Sequence, residues 1–389
     1  MDGHRPRYLR EIICGLRANR KDCDLRLCIF GRDREAPGYL EFLKPLEDQF
    51  RVCPLPNRPL KGRFRYEITR LRLLHECVVA NPCDRVVIPY GDGLVPMMGA
   101  LPKWLIRRIV PAATSMESML FRPEWTYPSV RWTQRCYHQL RRWAVCRWPG
   151  WRLHLADFNA WQRAEQKLDR YSASVSLVPE VFEDWTLSGR KEALEWLSSS
   201  GYFSGLRRDL DWQHLVISSP GSPSDRKGTA ELIEAFAIHR ELDGILLLWG
   251  RIPEKVEQVL SRRGVSWRDD PRIVVIEKYI DDHAFRALFS ITDLVVLPYK
   301  SALGGVSSLF LLSAIHRKKT ICDNRAWLGW AAEHYQHGLA IKCSSPEEIL
   351  RGFVRVLSGT SIQMASEKAA AALRSECMHG QFRRCWGCD

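Results

Sequence analysis

In the second half of the chain, from about His214 onward, short aliphatic runs alternate with longer stretches whose apolar residues recur at helical spacing. The runs are HLVISS, GILLLWG, RIVVIE, DLVVLPY, KTICD and LAIKC. Between them lie GTAELIEAFAIHREL, PEKVEQVLSRR, DHAFRALFS, VSSLFLLSAIHR and WLGWAAEHY. A strand that is aliphatic at every position is covered on both faces, which is the condition of a parallel sheet between two helical layers. This half therefore predicts a doubly wound (Rossmann-like) α/β domain.

The first half repeats the rhythm with more interruptions. Its predicted strands are DLRLCIF, FRVCPL, DRVVIPY, RRIVPAA, RLHLAD and SVSLVP, which make a second α/β domain. The break falls in the charged, Ser- and Gly-rich stretch 181–208, where GRKEALEWLSS keeps a helical pattern. The expected organisation is a first domain over 1–195, a second over 196–358, and a helix and tail over 359–389 that docks back on the first. The two domains are expected to face each other across a cleft. One departure concerns the start, GHRPRYLREIICGL, a turn leading straight into a helix. Doubly wound domains open with a buried strand and place the glycine turn at its carboxyl end. Either that strand lies upstream of Met1, or the domain is built without it, which would expose apolar surface on both neighbouring strands.

Composition narrows the class. With 389 residues, 46% of them hydrophobic, the chain has material for two packed interiors. No run reaches the roughly 18 apolar residues of a membrane span, and MDGHRPRYLREI has no apolar signal core, so a cytoplasmic location is expected. The thirteen cysteines are scattered and odd in number, and read as reduced thiols rather than a disulfide framework. Cys377, His379, Cys385 and Cys388 cluster in the tail, but their spacing matches no common zinc module, and no metal is expected.

The net charge of +13 is uneven: residues 1–195 hold 33 Lys and Arg against 23 Asp and Glu, and the rest hold 25 against 22. The excess concentrates in WTQRCYHQLRRWAVCRWPGWRLHL. Read as a helix over about 130–147, this segment puts Trp132, Cys136, Leu140 and Trp143 on one face and Arg131, Arg135, His138 and Arg142 away from it. One reading is a core-packed helix with a solvated basic side. The other is contact with an anionic membrane surface, at the inner membrane face, which basic amphipathic helices with interfacial Trp favour. Nucleic acid is disfavoured as a partner, because no helix-turn-helix, zinc-finger or RNA-recognition signature accompanies the charge.

In open parallel sheets ligands bind beyond the carboxyl ends of the strands. After HLVISS comes PGSPSDRKGTAELIEAF, where Arg226 and Lys227 sit at a helix start; two cations beside exposed helix amides form an anion site. After DLVVLPY comes KSALGGVSSLFLLSA. Here Gly304 and Gly305 permit close backbone approach, Ser307 or Ser308 caps the next helix, and the amides of Gly305, Val306 and Ser307 are placed to meet an anion. A lone glycine pair is a weak signal, and the alternative is a plain turn and cap. Two such helix starts at one end of one sheet suit a diphosphate.

The ordered set DRKGTAELIEAF, LLLWG, DLVVLPYKSALGGVSSLFLLSA and TICDN resembles the donor half of family 4 (group 1) glycosyltransferases of the GT-B fold. The resemblance covers about 214–345; the first half shares only architecture, through GHRPRYL and SLVPE. It implies transfer of a sugar from a nucleotide diphosphate sugar of UDP or GDP type, retaining and without a metal, to a glycan or lipid-linked acceptor. In it Arg226 and Lys227 neutralise the diphosphate leaving group. The sequence departs from the family at Gly305 and Ser313, where two glutamates are usual. That leaves a second reading, a catalytically weak or silent module that binds a nucleotide or glycan. In the first domain Glu117 is a candidate substrate contact, the alternative being a surface carboxylate. His4 is a candidate acceptor contact, and Asp323 is a candidate facing the cleft.

Overall fold

In the computed structural model the described residues are 5–19, 23–55, 63–90, 94–110, 114–120, 139, 151–157, 160–162, 174–178, 180, 186–204, 211–300, 306–359, 362–377, 382–383 and 386. The chain divides into two compact units, one of 1–183, 304–306 and 376–389, the other of 184–303 and 307–375.

The second unit contains β7 (Leu215–Ser219), β8 (Gly244–Trp249), β9 (Ile273–Ile276), β10 (Leu294–Leu297), β11 (Lys319–Asp323) and β12 (Leu339–Ile341). These form one parallel sheet in the order β12-β11-β10-β7-β8-β9. This is the complete doubly wound order, with the first strand of the unit, β7, at its centre between β8 and β10. The aliphatic runs explain it, since β8 and β10 are buried at every position. Phe236, Ile233 and Leu232 of the helix Thr229–Ile238 join Ile217, Leu246 and Leu248 in the core, all at most 1% exposed. Burial of each such side chain contributes about 1.5–3 kcal/mol. Helix starts are capped by side-chain oxygens of Asp281, Ser307 and Ser345, which accept otherwise unpaired amides.

The first unit contains β1 (Arg26–Phe30), β2 (Arg51–Leu55), β3 (Arg85–Ile88), β4 (Ser115–Leu120), β5 (Trp151–Leu155) and β6 (Ser174–Leu177). All pairs are parallel, but they make two sheets, β1-β2 and β3-β4-β5-β6. Set beside the order in the second unit, the described strands are those of a doubly wound arrangement without its first, central strand. Among the described residues no strand stands between β1 and β3. The helix Arg5–Asn19 joins the two parts instead. Its Tyr8, Ile12 and Leu16, spaced four apart on one face, pack with Met119, Ala156 and Val178. Its Leu9 and Ile13 pack with Ile29, Tyr39 and Phe42 beside the smaller sheet.

One expected strand is corrected. In RRIVPAA, residues 107–109 end the helix Lys103–Ile109, and the strand lies just beyond it, at Ser115–Leu120, buried from Met116 onward. The tail also packs on the first unit: Phe382 and Trp386 are fully buried, and Arg383 pairs with buried Glu11 at 2.8 Å. Cys377 is buried, and burial pushes its thiol pKa up; His379, Cys385 and Cys388 lie outside the described residues, as does 130–147 apart from Gln139. Among the described residues no helix is long and apolar enough to cross a membrane.

Candidate anion site at the carboxyl ends of β7 and β10

The chain leaves β7 at Ser219 and turns through Pro220–Ser224 into a short 3-10 turn, Asp225–Lys227. Gly228 then takes a left-handed conformation (φ 68°) before the helix Thr229–Ile238. A Cβ on Gly228 would lie 2.1 Å from the carbonyl oxygen of Pro298, so only glycine lets this loop close against the residues after β10. The closure is bonded on several sides. Lys300 N donates to the Arg226 carbonyl at 3.0 Å, and its ammonium reaches Asp225 at 2.7 Å and buried Glu231 at 2.9 Å. Lys255 pairs with Asp225 at 2.8 Å. Hydrogen bonds from Lys255 and Lys300 hold the Asp225 carboxyl down to about 2.

Arg226 and Lys227 are brought together on this frame. The Arg226 guanidinium carbon lies 5.3 Å from the centre of the Tyr299 ring, a cation–π arrangement. The Lys227 ammonium donates to the Pro220 carbonyl at 2.9 Å. Burial, reinforced by the charge of Arg226, lowers its pKa to about 7. Among the described residues no carboxylate pairs with it. An ammonium removed from water beside a second cation is stabilised by an anion.

Three amides of this turn are engaged within the loop: those of Lys227 and Thr229 donate to the Ser224 carbonyl, and that of Gly228 to the Asp225 carbonyl. The charge offered to an anion here comes from the two side chains.

In the second loop Gly304 and Gly305 lie outside the described residues, and Val306 is half-buried. Ser307 is the cap of the helix Ser308–Ile315, accepting from Phe310 N, and Ser308 is its first residue. Ser313, where the family resemblance expects a glutamate, is fully buried and donates to the Leu309 carbonyl at 2.7 Å.

Asp323 stands at the end of β11, 2% exposed. Its carboxylate accepts from Arg325 N, Nε and Nη2 and from Cys343 N, so it serves as a structural clamp. Arg325 in turn donates to the Tyr299 carbonyl at 3.1 Å, fixing the residue whose ring lies beside Arg226. Tyr299, Lys300 and Arg325 were missed as site residues; the Asp-x-Arg spacing in ICDNRAW was the available signal for the last.

In the first unit Glu117 is neither on a surface nor in a loop after a strand. It sits within β4, 4% exposed, bonded to Arg85 and within 3.4 Å of both Arg152 and His154. Hydrogen bonds from His154 and Arg85 outweigh burial and lower its pKa. Arg85 also donates to the Trp386 carbonyl at 3.1 Å, which makes this cluster an anchor for the tail. His4 lies outside the described residues.

No family model matches the chain, and no curated protein matches it in sequence. Solved structures do match. A sucrose-phosphate synthase from Thermosynechococcus elongatus shares the fold at TM-score 0.62 and 14% identity, over 96% of this chain and 88% of that one. HepE from Anabaena, solved with UDP and glucose, gives 0.62 and 13%, over 98% and 94%. WaaG, a glycosyltransferase involved in lipopolysaccharide biosynthesis, gives 0.58 and 13%, over 100% and 92%. The fold is of the GT-B type, with two doubly wound units.

Proposed function

We propose that the protein is a glycosyltransferase that moves a sugar from a nucleotide diphosphate sugar to a glycan or lipid-linked acceptor, with the donor's diphosphate bound at the ends of β7 and β10. The observation that carries this reading is Lys227, a desolvated ammonium beside Arg226 in a loop braced by Gly228 and Lys300. As the bond to the sugar breaks, negative charge grows on the leaving diphosphate. Arg226 and Lys227 stabilise it, each by about 2–4 kcal/mol on the scale of oxyanion donors. Two fixed cations in the place of a metal make the proposed transfer metal-independent, and retention of anomeric configuration is added to the reading by the resemblance to family 4. A donor of UDP type is favoured by the fold shared with HepE, which was solved with UDP. The membrane-facing part of the reading rests on the basic Trp-rich stretch 130–147 alone, and the cytoplasmic part on the sequence pattern, in which no apolar run has the length of a membrane span.

The buried Ser313, turned to its own helix, favours a second reading in which the unit binds a nucleotide without transferring sugar. A thermal-shift panel with UDP, GDP, ADP and CMP identifies the donor base, since a ligand of the folded state raises the melting point. Release of nucleoside diphosphate from the matching sugar donor, dependent on added acceptor, then supports transfer. Binding without release supports the silent module, and no binding by any nucleotide contradicts both.

A further inference from the structure

The frame around Arg226 and Lys227 carries two carboxylates that work against an anion. Asp225 opens the short turn that holds both cations, and Glu231 lies in the first turn of the helix Thr229–Ile238, 2% exposed. A carboxylate there stabilises the helix, but it repels a second anion brought to the same end. Neighbouring cations counter the two groups. Lys255 pairs with Asp225 at 2.8 Å, and Arg263 pairs with Glu231 at 3.1 Å. Lys300 reaches Asp225 at 2.7 Å and Glu231 at 2.9 Å, and among the described residues it is the cation that pairs with both. Burial opposes its charge, but hydrogen bonds to the two carboxylates outweigh burial and raise its pKa.

Closure of the two loops does not depend on that ammonium. Lys300 N donates to the Arg226 carbonyl at 3.0 Å, and Gly228 packs on the Pro298 carbonyl. Both contacts are made by main chain and survive substitution of the Lys300 side chain. The side chain therefore sets charge rather than closure.

We propose that Lys300 is a positioning residue of the anion site, which acts through Asp225 and Glu231 and cancels their charge, so that a diphosphate at Arg226 and Lys227 is not opposed by the chain's own carboxylates. The inference rests on the diphosphate reading above and names the residue that sets its electrostatic balance. Without the ammonium, Asp225 keeps Lys255 and Glu231 keeps Arg263, but their shared counter-charge is gone. At an effective dielectric of about 20, one uncompensated charge ~10 Å from a bound anion changes affinity by about tenfold.

Calorimetric titration of UDP into the full chain and its variants, each shown by circular dichroism to be folded, tests the assignment. Lys300→Met should weaken binding about tenfold, and Lys300→Arg, which keeps the charge, should restore most of it. Asp225→Asn should strengthen binding, because the charge of Lys255 and Lys300 is then unopposed. The double variant Lys300→Met/Asp225→Asn should return close to the affinity of the unaltered protein. A residue that only braced the turn would give the opposite sign, since Asp225→Asn removes one end of the Lys300 pair and would weaken binding. Asp225 is partly exposed and accommodates Asn, so the sign of its effect decides the matter even if Lys300→Met, which uncovers buried Glu231, fails to fold. Asp225→Asn that weakens binding or leaves it unchanged, or a folded Lys300→Met protein with undiminished affinity, overturns the proposal. Failure of the unaltered protein to bind UDP is seen before any variant is compared, and overturns the diphosphate reading together with this one.

Discussion

The two units apply one strand order with different completeness. In the second, β7 is hydrogen-bonded on both sides, and its carboxyl end delivers the Arg226–Lys227 loop to the residues after β10. In the first, the corresponding position between β1 and β3 holds no described strand, and the sheet is two sheets bridged by one helix. A central strand does more than fill a core. It fixes where the first loop of the domain ends, so the unit with the strand also has the better defined candidate site.

The sharpest way to break this contrast is Gly228→Ala. The added methyl meets the Pro298 carbonyl and the residue must keep a left-handed backbone. A loss of about 4 kcal/mol is expected in denaturant unfolding of the second unit. Next is Ile13→Ala, which empties a 3% exposed position at the join between the two sheets of the first unit. It should cost about 3 kcal/mol and speed amide exchange in β1 while leaving β7 unchanged.

A smaller effect separates the units by acid. His337 is fully buried in the second unit, accepting from Ala365 N at 3.3 Å and lying 3.1 Å from Thr320 Oγ1. Burial lowers its pKa from 6.5 to about 4. Between those values the unfolded chain binds a proton that the folded unit refuses. The contribution is therefore intact above pH 6.5 and lost as pH falls toward 4, amounting to on the order of 3 kcal/mol in all. Urea midpoints of the second unit at pH 7 and pH 4.5 check it.

The smallest effect concerns Lys227. With a free-site pKa of about 7, the ammonium is half protonated at neutral pH, and a bound diphosphate draws it to full protonation. UDP affinity should fall as pH rises through 7, by at most about tenfold (1.4 kcal/mol) per pH unit. Titration calorimetry in buffers of different ionisation enthalpy should record proton uptake, and Lys227→Met should abolish it.

The second unit was legible in the sequence because its strands are aliphatic throughout. The first was less so for identifiable reasons. RRIV, with its β-branched pair, ends a helix, and SMESML makes a central strand although it contains no Val or Ile and carries a charge. Glu117 is tolerated there only because Arg85 and His154, distant in sequence, pair with it. Arg226 and Lys227 were visible as cations at a helix start. The lowered pKa of Lys227 was not, since it depends on enclosure by Pro220 and its neighbours. Asp323 shows the limit of such a reading, because a carboxylate at a strand end looks the same in sequence whether it meets a ligand or accepts, as it does in this fold, from Arg325 and the Cys343 amide.

The most direct measurement is calorimetric titration of UDP into the protein and into its Arg226→Ala/Lys227→Ala variant, both shown by circular dichroism to be folded. Two charge-assisted contacts of about 1.5–3 kcal/mol each predict at least a hundredfold loss of affinity in the variant. Equal affinity in the two proteins would contradict the assignment of the diphosphate to the ends of β7 and β10.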